Sequence, residues 1–387
     1  MPSRRRPGRE SAAILNERAD PIALGLLPEG FRDRLPPRAG AAMRLTTEML
    51  EAIRPHGYDR VSPPLVEFED SLVSRLAGTQ AQDLVRLIDP LSQRTLALRP
   101  DITAQVGRIA ATRMAHRPRP VRLAYAGPVL WVRSRQVSSA RESMQLGAEL
   151  IGSDHLRAVE EVLMVALEAL TASGASGISV DLTLPSLVDE LAETRWPVAD
   201  LAAVKAALDG KDQAALLAAD GGDYAFLIDA AGPVGRSLAR LRAADMGANF
   251  DARLQAAESL ADLAGRYGAV SLDPTERLGF EYQSWAGFSL YAEGVAGEIG
   301  RGGTYTIRHP DGSEEPAVGF SLYVDPLVEA GLGSLDTPRI FLPLGTGSEV
   351  GSQLRADGWV TVAALFDEDT AEANACTHVW DGAPKAL

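Results

Sequence analysis

Two hydrophobic rhythms alternate along this chain, and the switches between them mark out its elements. Gly40 to Arg54 sets Ala42, Leu45, Met49, Leu50 and Ile53 at helical spacing. His56-Gly57-Tyr58 closes that helix, with Gly57 suited to a left-handed cap. Val61 to Val66 contains Pro63-Pro64, which forbids helix and drives the neighbouring residues to extended backbone. Val85 to Ile88 and Thr95 to Leu98 read as strands joined across the polar turn Asp89 to Gln93, a hairpin. Pro100 to Met114 returns to helical spacing, with Pro100 in the first turn. Val121 to Val132 and Met144 to Ile151 are strands linked by the polar loop Arg133 to Glu142, which makes them an antiparallel pair.

His155 to Thr171 is a helix rich in Ala, Leu, Glu and Val, with Asp154 placed to cap it. Ser179 to Leu184 alternates as a strand does. Leu187 to Tyr267 is nearly all helix, and its composition is that of an inserted helical layer rather than of a site. From Gly279 through Phe320 the sequence is strand-like and punctuated by glycine. After Arg339, Ile340-Phe341-Leu342, the helix-like Ser348 to Arg355 and Trp359 to Leu365 make one small β-α-β unit. No internal repeat of solenoid period is present. The order predicts an α+β fold, a central and mostly antiparallel sheet carrying helices. Its expected divisions are a flexible basic tail over 1–20, a large domain over 21–335 with a helical insertion at about 187–270, and a small C-terminal segment over 336–387.

At 387 residues the chain can bury a large core, and 46% hydrophobic with 23% charged residues is an ordinary globular composition. No run of about 18 apolar residues occurs, so no membrane span is expected. The start, Met1-Pro2-Ser3-Arg4-Arg5-Arg6, is basic, but no apolar segment follows as in a secretory signal. A single cysteine, Cys376, rules out an internal disulfide framework and supplies no metal cluster, which points to the cytoplasm. With 52 acidic and 38 basic residues the net charge is −14, whereas a protein that holds a large RNA usually shows a basic footprint. The arginine-rich stretch Arg108 to Arg135 reads as a solvated face or a protein interface.

Candidate chemistry lies in short polar segments. Leu98-Arg99-Pro100-Asp101-Ile102-Thr103-Ala104 offers the Asp101 carboxylate, and a charge-assisted bond to an ammonium stabilises by about 1.5–3 kcal/mol. Taken alone, the same segment is a helix start with an acid near the positive end of the dipole. In Gln145-Leu146-Gly147-Ala148-Glu149, alternation sets Gln145, Gly147 and Glu149 on one sheet face. Inward polar groups beside a glycine favour a small polar ligand; the plain alternative is the solvated face of an antiparallel sheet.

Taken together, these segments resemble the active site of histidyl-tRNA synthetase. Leu98 to Ala104 resembles that family's Leu-Arg-Pro-Glu-Gly-Thr-Ala, and Gly127-Pro128-Val129-Leu130-Trp131 is similar to the start of the second class II motif, Gly-Pro-x-Phe-Arg. Gln145 to Glu149 matches Gln-x-Gly-x-Glu, and Leu278-Gly279-Phe280-Glu281-Tyr282 resembles Arg-Gly-Leu-Asp-Tyr. Gly300-Arg301-Gly302-Gly303-Thr304-Tyr305 resembles a Gly-Gly-Arg-Tyr turn, whose glycines allow close backbone approach to a ligand. Ala317 to Leu322 resembles the opening of the third motif. Where the family places arginines for ATP or the activated acyl group, this chain reads Trp131, Leu278 and Pro326. Loss of one such donor typically costs about 10²–10³ in rate. The resemblance therefore implies a retained amino-acid pocket and lost adenylation.

The wording Leu278 to Tyr282 followed by Gly300-Arg301-Gly302-Gly303 is closer to a silent relative, the regulatory subunit of the short-form ATP phosphoribosyltransferase, over about residues 24 to 335. That resemblance implies a class II synthetase-like fold with no catalysis, cofactor or metal of its own. It implies a separate short catalytic subunit as partner in a hetero-octamer, synthetase-like dimers, and L-histidine as feedback effector of the first step of histidine biosynthesis. It also implies no tRNA, since the segment after Arg339 is under half of an anticodon-binding domain of roughly 100 residues. Asp101, Thr103 and Gln145 would meet the amino end of histidine, and Glu149 and Tyr282 its imidazole. Glu281 is a lesser candidate because alternation turns it from Tyr282. Arg141 and Arg301 are the candidates for the carboxylate. A working aminoacyl-tRNA synthetase and an amino-acid-binding scaffold for another partner stay open as alternatives. His155, His309 and His378 lie beside no nucleophile or metal spacing and are read as capping or solvated.

Overall fold

The computed structural model describes residues 26–73, 84–133, 140–244, 246–247, 249–276, 283–309 and 311–387. The tail expected over 1–20 lies outside them. The chain divides into two compact units at Gly333 and Ser334.

In the first unit the strands are β1 (Asp59–Arg60), β2 (Val66–Phe68), β3 (Arg86–Ile88), β4 (Thr95–Leu98), β5 (Val121–Leu130), β6 (Glu142–Ile151), β7 (Ile178–Thr183), β8 (Gly232–Pro233), β9 (Gly268–Asp273), β10 (Gln283–Tyr291), β11 (Gly300–Arg308) and β12 (Glu314–Tyr323). Nine of them form one sheet in the order β1-β5-β6-β12-β11-β10-β7-β9-β8. Its middle, from β5 through β7, is antiparallel throughout. Parallel pairs, β1 with β5 and β7 with β9, flank that middle. A small antiparallel sheet, β2-β4-β3, contains the hairpin expected around Asp89.

Helices α1 (Arg38–Ile53), α2 (Glu69–Val73), α3 (Thr103–Arg108) and α4 (Leu156–Ala172) precede the insertion. α1 and α4 bury Leu45, Met49, Ile53, Val162, Leu163 and Leu170 in one core with the sheet residues Leu146, Leu150, Phe320 and Leu322. On β6 and β12 these alternate with the residues of the opposite face. That opposite face packs Leu123, Tyr125, Ile151 and Tyr305 against Ile102, Ala104 and Val106 around α3.

The insertion comprises α5 (Leu187–Thr194), α6 (Leu201–Asp209), α7 (Gln213–Ala218), α8 (Ala225–Ala230), α9 (Val234–Ala243) and α10 (Asn249–Ala264). Its apolar residues, Leu208, Leu227, Leu241 and Leu254 among them, belong to the same core as α1 and α4. The insertion is thus continuous with the sheet, an arrangement helical periodicity alone does not disclose. α11 (Val324–Glu329) ends the unit.

Two local expectations shift. The helix expected from Pro100 begins at Thr103, because side chains meet the first amides: Gln145 Oε1 accepts from Ile102 N at 3.0 Å and Asp101 Oδ1 from Thr103 N at 2.7 Å. Past Arg108 it widens into a π-helical turn, Ile109–Arg113. The cap of α4 is His155, whose ring nitrogen accepts from Arg157 N at 3.3 Å, while the Asp154 carbonyl takes the Trp285 indole N–H.

In the second unit β13 (Arg339–Leu342), α12 (Ser348–Ala356) and β14 (Val360–Ala363) form the β-α-β unit, joined by β15 (His378–Trp380) and β16 (Pro384–Ala386) in the order β14-β13-β15-β16. The last two strands are three residues each, too short for alternation to register.

Candidate amino-acid site

Register across the sheet decides which side chains share the face under α3, because directly paired residues point the same way. Leu123, Glu149, Gly319, Gly303 and Gly287 form one rung across β5, β6, β12, β11 and β10. Tyr125, Gly147, Ser321 and Arg301 form the next on the same face, and Gln145 pairs with Gly127 and Tyr323 in the one beyond. Glycine here makes room for neighbours. A side chain at Gly319 would overlap the Glu149 carboxylate, and one at Gly147 would overlap the Tyr125 ring.

The resulting polar chain is buried from Gln145 onward, with Asp101 half-buried at its end. Gln145 Nε2 donates to Asp101 Oδ2 at 2.9 Å and to Ser321 Oγ at 2.7 Å. Ser321 Oγ lies 3.1 Å from the Tyr125 hydroxyl, which lies 3.2 Å from Thr103 Oγ1 and donates to Glu149 Oε1 at 3.0 Å. Tyr305 donates to the other carboxylate oxygen at 2.8 Å. Asp101, Gln145, Ser321, Tyr125, Glu149 and Tyr305 thus form a continuous series of polar groups.

Burial dominates the electrostatics. It pushes Glu149 up to about 8, against the downward pull of the hydroxyls of Tyr305 and Tyr125, so at neutral pH this carboxyl is mostly protonated. Tyr125 is raised well above its ordinary value by burial and then by the nearby Glu149 charge. Arg99 braces the segment from behind: its guanidinium donates to the carbonyls of Pro128 at 2.8 Å and Pro63 at 2.9 Å, and to Gln105 at 3.3 Å. Burial lowers its pKa, opposed by Asp101 and Glu67, and only glycine at 127 leaves space for the guanidinium.

Of the residues expected from sequence, Asp101, Thr103, Gln145 and Glu149 are brought into one network. Arg301 stands on the same face beside Ser321, its Nε and Nη2 donating to the two carboxylate oxygens of Glu298, the latter at 2.7 Å. The Arg141 guanidinium lies on the Trp131 carbonyl at 3.0 Å and over the Phe31 ring, 5.0 Å from its centroid, stitching the β5–β6 hairpin to the lead-in segment. Glu281 and Tyr282 lie outside the described residues, as does Leu278. Tyr125, Tyr305 and Ser321 join the same network, although the sequence reading did not single them out. Each sits two residues from a glycine of a recognised segment, Gly127, Gly303 and Gly319, so alternation was the signal that would have found them.

The Trp131 indole donates to the Pro100 carbonyl at 2.9 Å. Pro326 lies in α11 next to Asp325, which accepts from Ser143 Oγ and Met144 N, both at 2.8 Å. Among the described residues no three His, Cys, Asp or Glu side chains converge as metal ligands, and no helix is long and apolar enough to cross a membrane.

An antiparallel sheet with α1 and α4 on one face and a buried polar network beneath α3 on the other defines a class II aminoacyl-tRNA synthetase-like α+β protein. Residues 30–327 match the histidyl-tRNA synthetase family. The fold is similar to a solved ATP phosphoribosyltransferase regulatory subunit/histidyl-tRNA synthetase from Bacillus halodurans, with TM-score 0.76 and 24% identity over 91% of this chain and 96% of that one. It is also similar to histidyl-tRNA synthetase from Nostoc, with TM-score 0.70 and 15% identity over 92% and 90%. Curated relatives are more alike in sequence. The ATP phosphoribosyltransferase regulatory subunit of Rhodospirillum centenum is 42% identical over 94% of this chain and 97% of its own length. That of Paramagnetospirillum magneticum is 42% identical over 88% and 90%. The chain belongs to the ATP phosphoribosyltransferase regulatory subunit family, whose place is in histidine biosynthesis.

Proposed function

We propose that this chain performs no chemistry, binds free L-histidine in the pocket between Asp101 and Glu149, and passes its occupancy to a separate short-form catalytic subunit in a cytoplasmic hetero-octamer. The observation that carries the reading is the largely buried hydrogen-bonded series from the half-buried Asp101 to Tyr305. It sets an anionic group at one end, for an ammonium, and a protonated carboxyl at the other, able to donate to an imidazole nitrogen. Tyr282, and less directly Glu281, complete the imidazole side in this reading. Arg301 is preferred over Arg141 for the carboxylate, because it shares the pocket face and stands beside Ser321.

Trp131 and Pro326 supply no cation for a phosphate, which supports a silent subunit. The net charge of −14 supports the reading that tRNA is not a ligand. No metal or cofactor is required by a pocket of this chemistry. A second copy is the proposed cover for the small sheet, where Phe68, Leu96 and Leu87 share one rung and Phe68 and Leu87 are exposed. Histidine shifts the partner only so far as it binds one conformation better, with coupling of about 1–3 kcal/mol typical.

The test is phosphoribosyl-ATP formation by the short-form catalytic subunit of the same source, with and without this chain, across a histidine titration. Activation that histidine reverses is expected. No change in rate while histidine still binds would instead indicate an amino-acid-binding scaffold with another partner, and pyrophosphate exchange with histidine and ATP would indicate a working synthetase.

A further inference from the structure

We propose that Trp131 and Tyr323 form a wall that restricts the pocket to free amino acids and excludes any ligand whose carboxyl group carries a further substituent. The inference rests on the amino-acid reading of the pocket and adds to it the residues that set ligand size.

Both rings belong to the pocket side of the sheet. Tyr323 pairs directly with Gln145, and Trp131 follows β5 at the same alternation as Tyr125 and Gly127. Both pack against the apolar cluster around α3, and their rings meet edge to face with centroids 5.9 Å apart. Neither is loosely held. The Trp131 indole N–H is engaged by the carbonyl of Pro100, one residue before Asp101, at 2.9 Å. Trp131 N donates to the Arg141 carbonyl at 2.8 Å, and Tyr323 N to the Ile299 carbonyl at 2.8 Å. The wall is therefore tied to the same turn that presents the Asp101 carboxylate.

A ligand with its ammonium on Asp101 and Gln145 and its ring toward Glu149 has its α-carbon at the Gln145 end. The third substituent of that carbon, the carboxylate, then lies beside the aromatic pair. A bare carboxylate ends there, with Arg301 on the neighbouring rung to meet it, whereas an ester, a peptide bond or an acyl nucleotide runs into the two rings. Rejecting a larger ligand by steric conflict is the usual way a site built for a small one gains discrimination.

The experiment compares L-histidine with the dipeptide L-histidyl-glycine, which keeps the free amine and imidazole and extends only the carboxyl group. Calorimetry on the full chain is expected to show the dipeptide bound at least about a hundredfold more weakly, a difference of about 2.7 kcal/mol. Tyr323→Ala and the double variant Trp131→Ala/Tyr323→Ala should narrow that ratio to about tenfold or less. Trp131→Phe, which keeps an aromatic ring, should preserve most of it. Equal affinities in the unaltered chain, or an unchanged ratio in folded Tyr323→Ala, would overturn the wall while leaving the pocket reading intact. Failure of free histidine to bind any of these proteins would overturn the pocket reading and the wall with it.

Discussion

Gly319 lies directly opposite Glu149 in the β6–β12 register, and any side chain at 319 would overlap the Glu149 carboxylate. The space for a buried carboxyl is thus made by the neighbouring strand's lack of a side chain. Gly147 does the same for Tyr125, so two glycines set the floor on which the polar series lies.

Gly319→Ala forces that carboxyl to move within a packed interior, where overpacking typically destabilises by about 1–3 kcal/mol. Thermal unfolding should show the loss, and calorimetry should show histidine affinity lowered at least about tenfold, or about 1.4 kcal/mol. Unchanged stability and affinity would mean that Glu149 has another resting place.

Glu149 gives the chain a defined pH dependence. Its folded pKa, about 8, lies above the ordinary 4.5, because burial disfavours the charge. The folded state therefore holds the proton more tightly than the unfolded state. The stability contributed by protonated Glu149 is fully present below the unfolded value and is lost as the pH rises through the folded value. Glu149→Gln keeps a neutral side chain of similar shape, so its unfolding free energy in denaturant titration should gain on that of the unaltered chain between about pH 5 and about pH 8.5, by an amount on the order of a few kcal/mol. A constant difference across that range would show that the carboxyl is not protonated by folding.

Tyr305→Phe removes one of the two hydroxyls that donate to Glu149. Those hydrogen bonds hold the carboxyl below the value burial alone would set, so the pH midpoint of the stability change should move upward. The net loss of one hydrogen bond should destabilise by about 0.5–1.5 kcal/mol, read by denaturant titration. A downward shift would contradict the assigned donor geometry.

Arg99→Met deprives the carbonyls of Pro63 and Pro128 of their buried donor. Leaving buried acceptors unmet costs about 1–3 kcal/mol for each group, so a loss at least of that order is expected in chemical denaturation. Stability within experimental error of the unaltered chain would show that water or another side chain takes over the bracing role.

Much of this architecture was legible along the sequence, and the remainder depends on contacts between distant residues. α1 and the β5–β6 hairpin follow local periodicity, and Gly57 ends the first helix region with φ at 83° as a left-handed cap. Asp101, Gln145 and Glu149 were legible as candidates because each is a polar group set among apolar residues in a short segment. Tyr125, Tyr305 and Ser321 share a face with Gly127, Gly303 and Gly319 by alternation, but that the three meet depends on the register of four strands far apart in the chain. The late start of α3 has the same origin: the acceptor for Ile102 N is the side chain of Gln145, 43 residues away. The Trp131–Tyr323 contact likewise arises only when β5 and β12 are folded around β6.

Isothermal titration of L-histidine into the full chain and into Glu149→Ala tests the pocket most directly. One histidine per chain should bind, and the variant should lose at least about tenfold in affinity, or about 1.4 kcal/mol, while its assembly with the catalytic subunit is unchanged by sedimentation. Equal histidine affinity in the two proteins would contradict the placement of histidine beside Glu149.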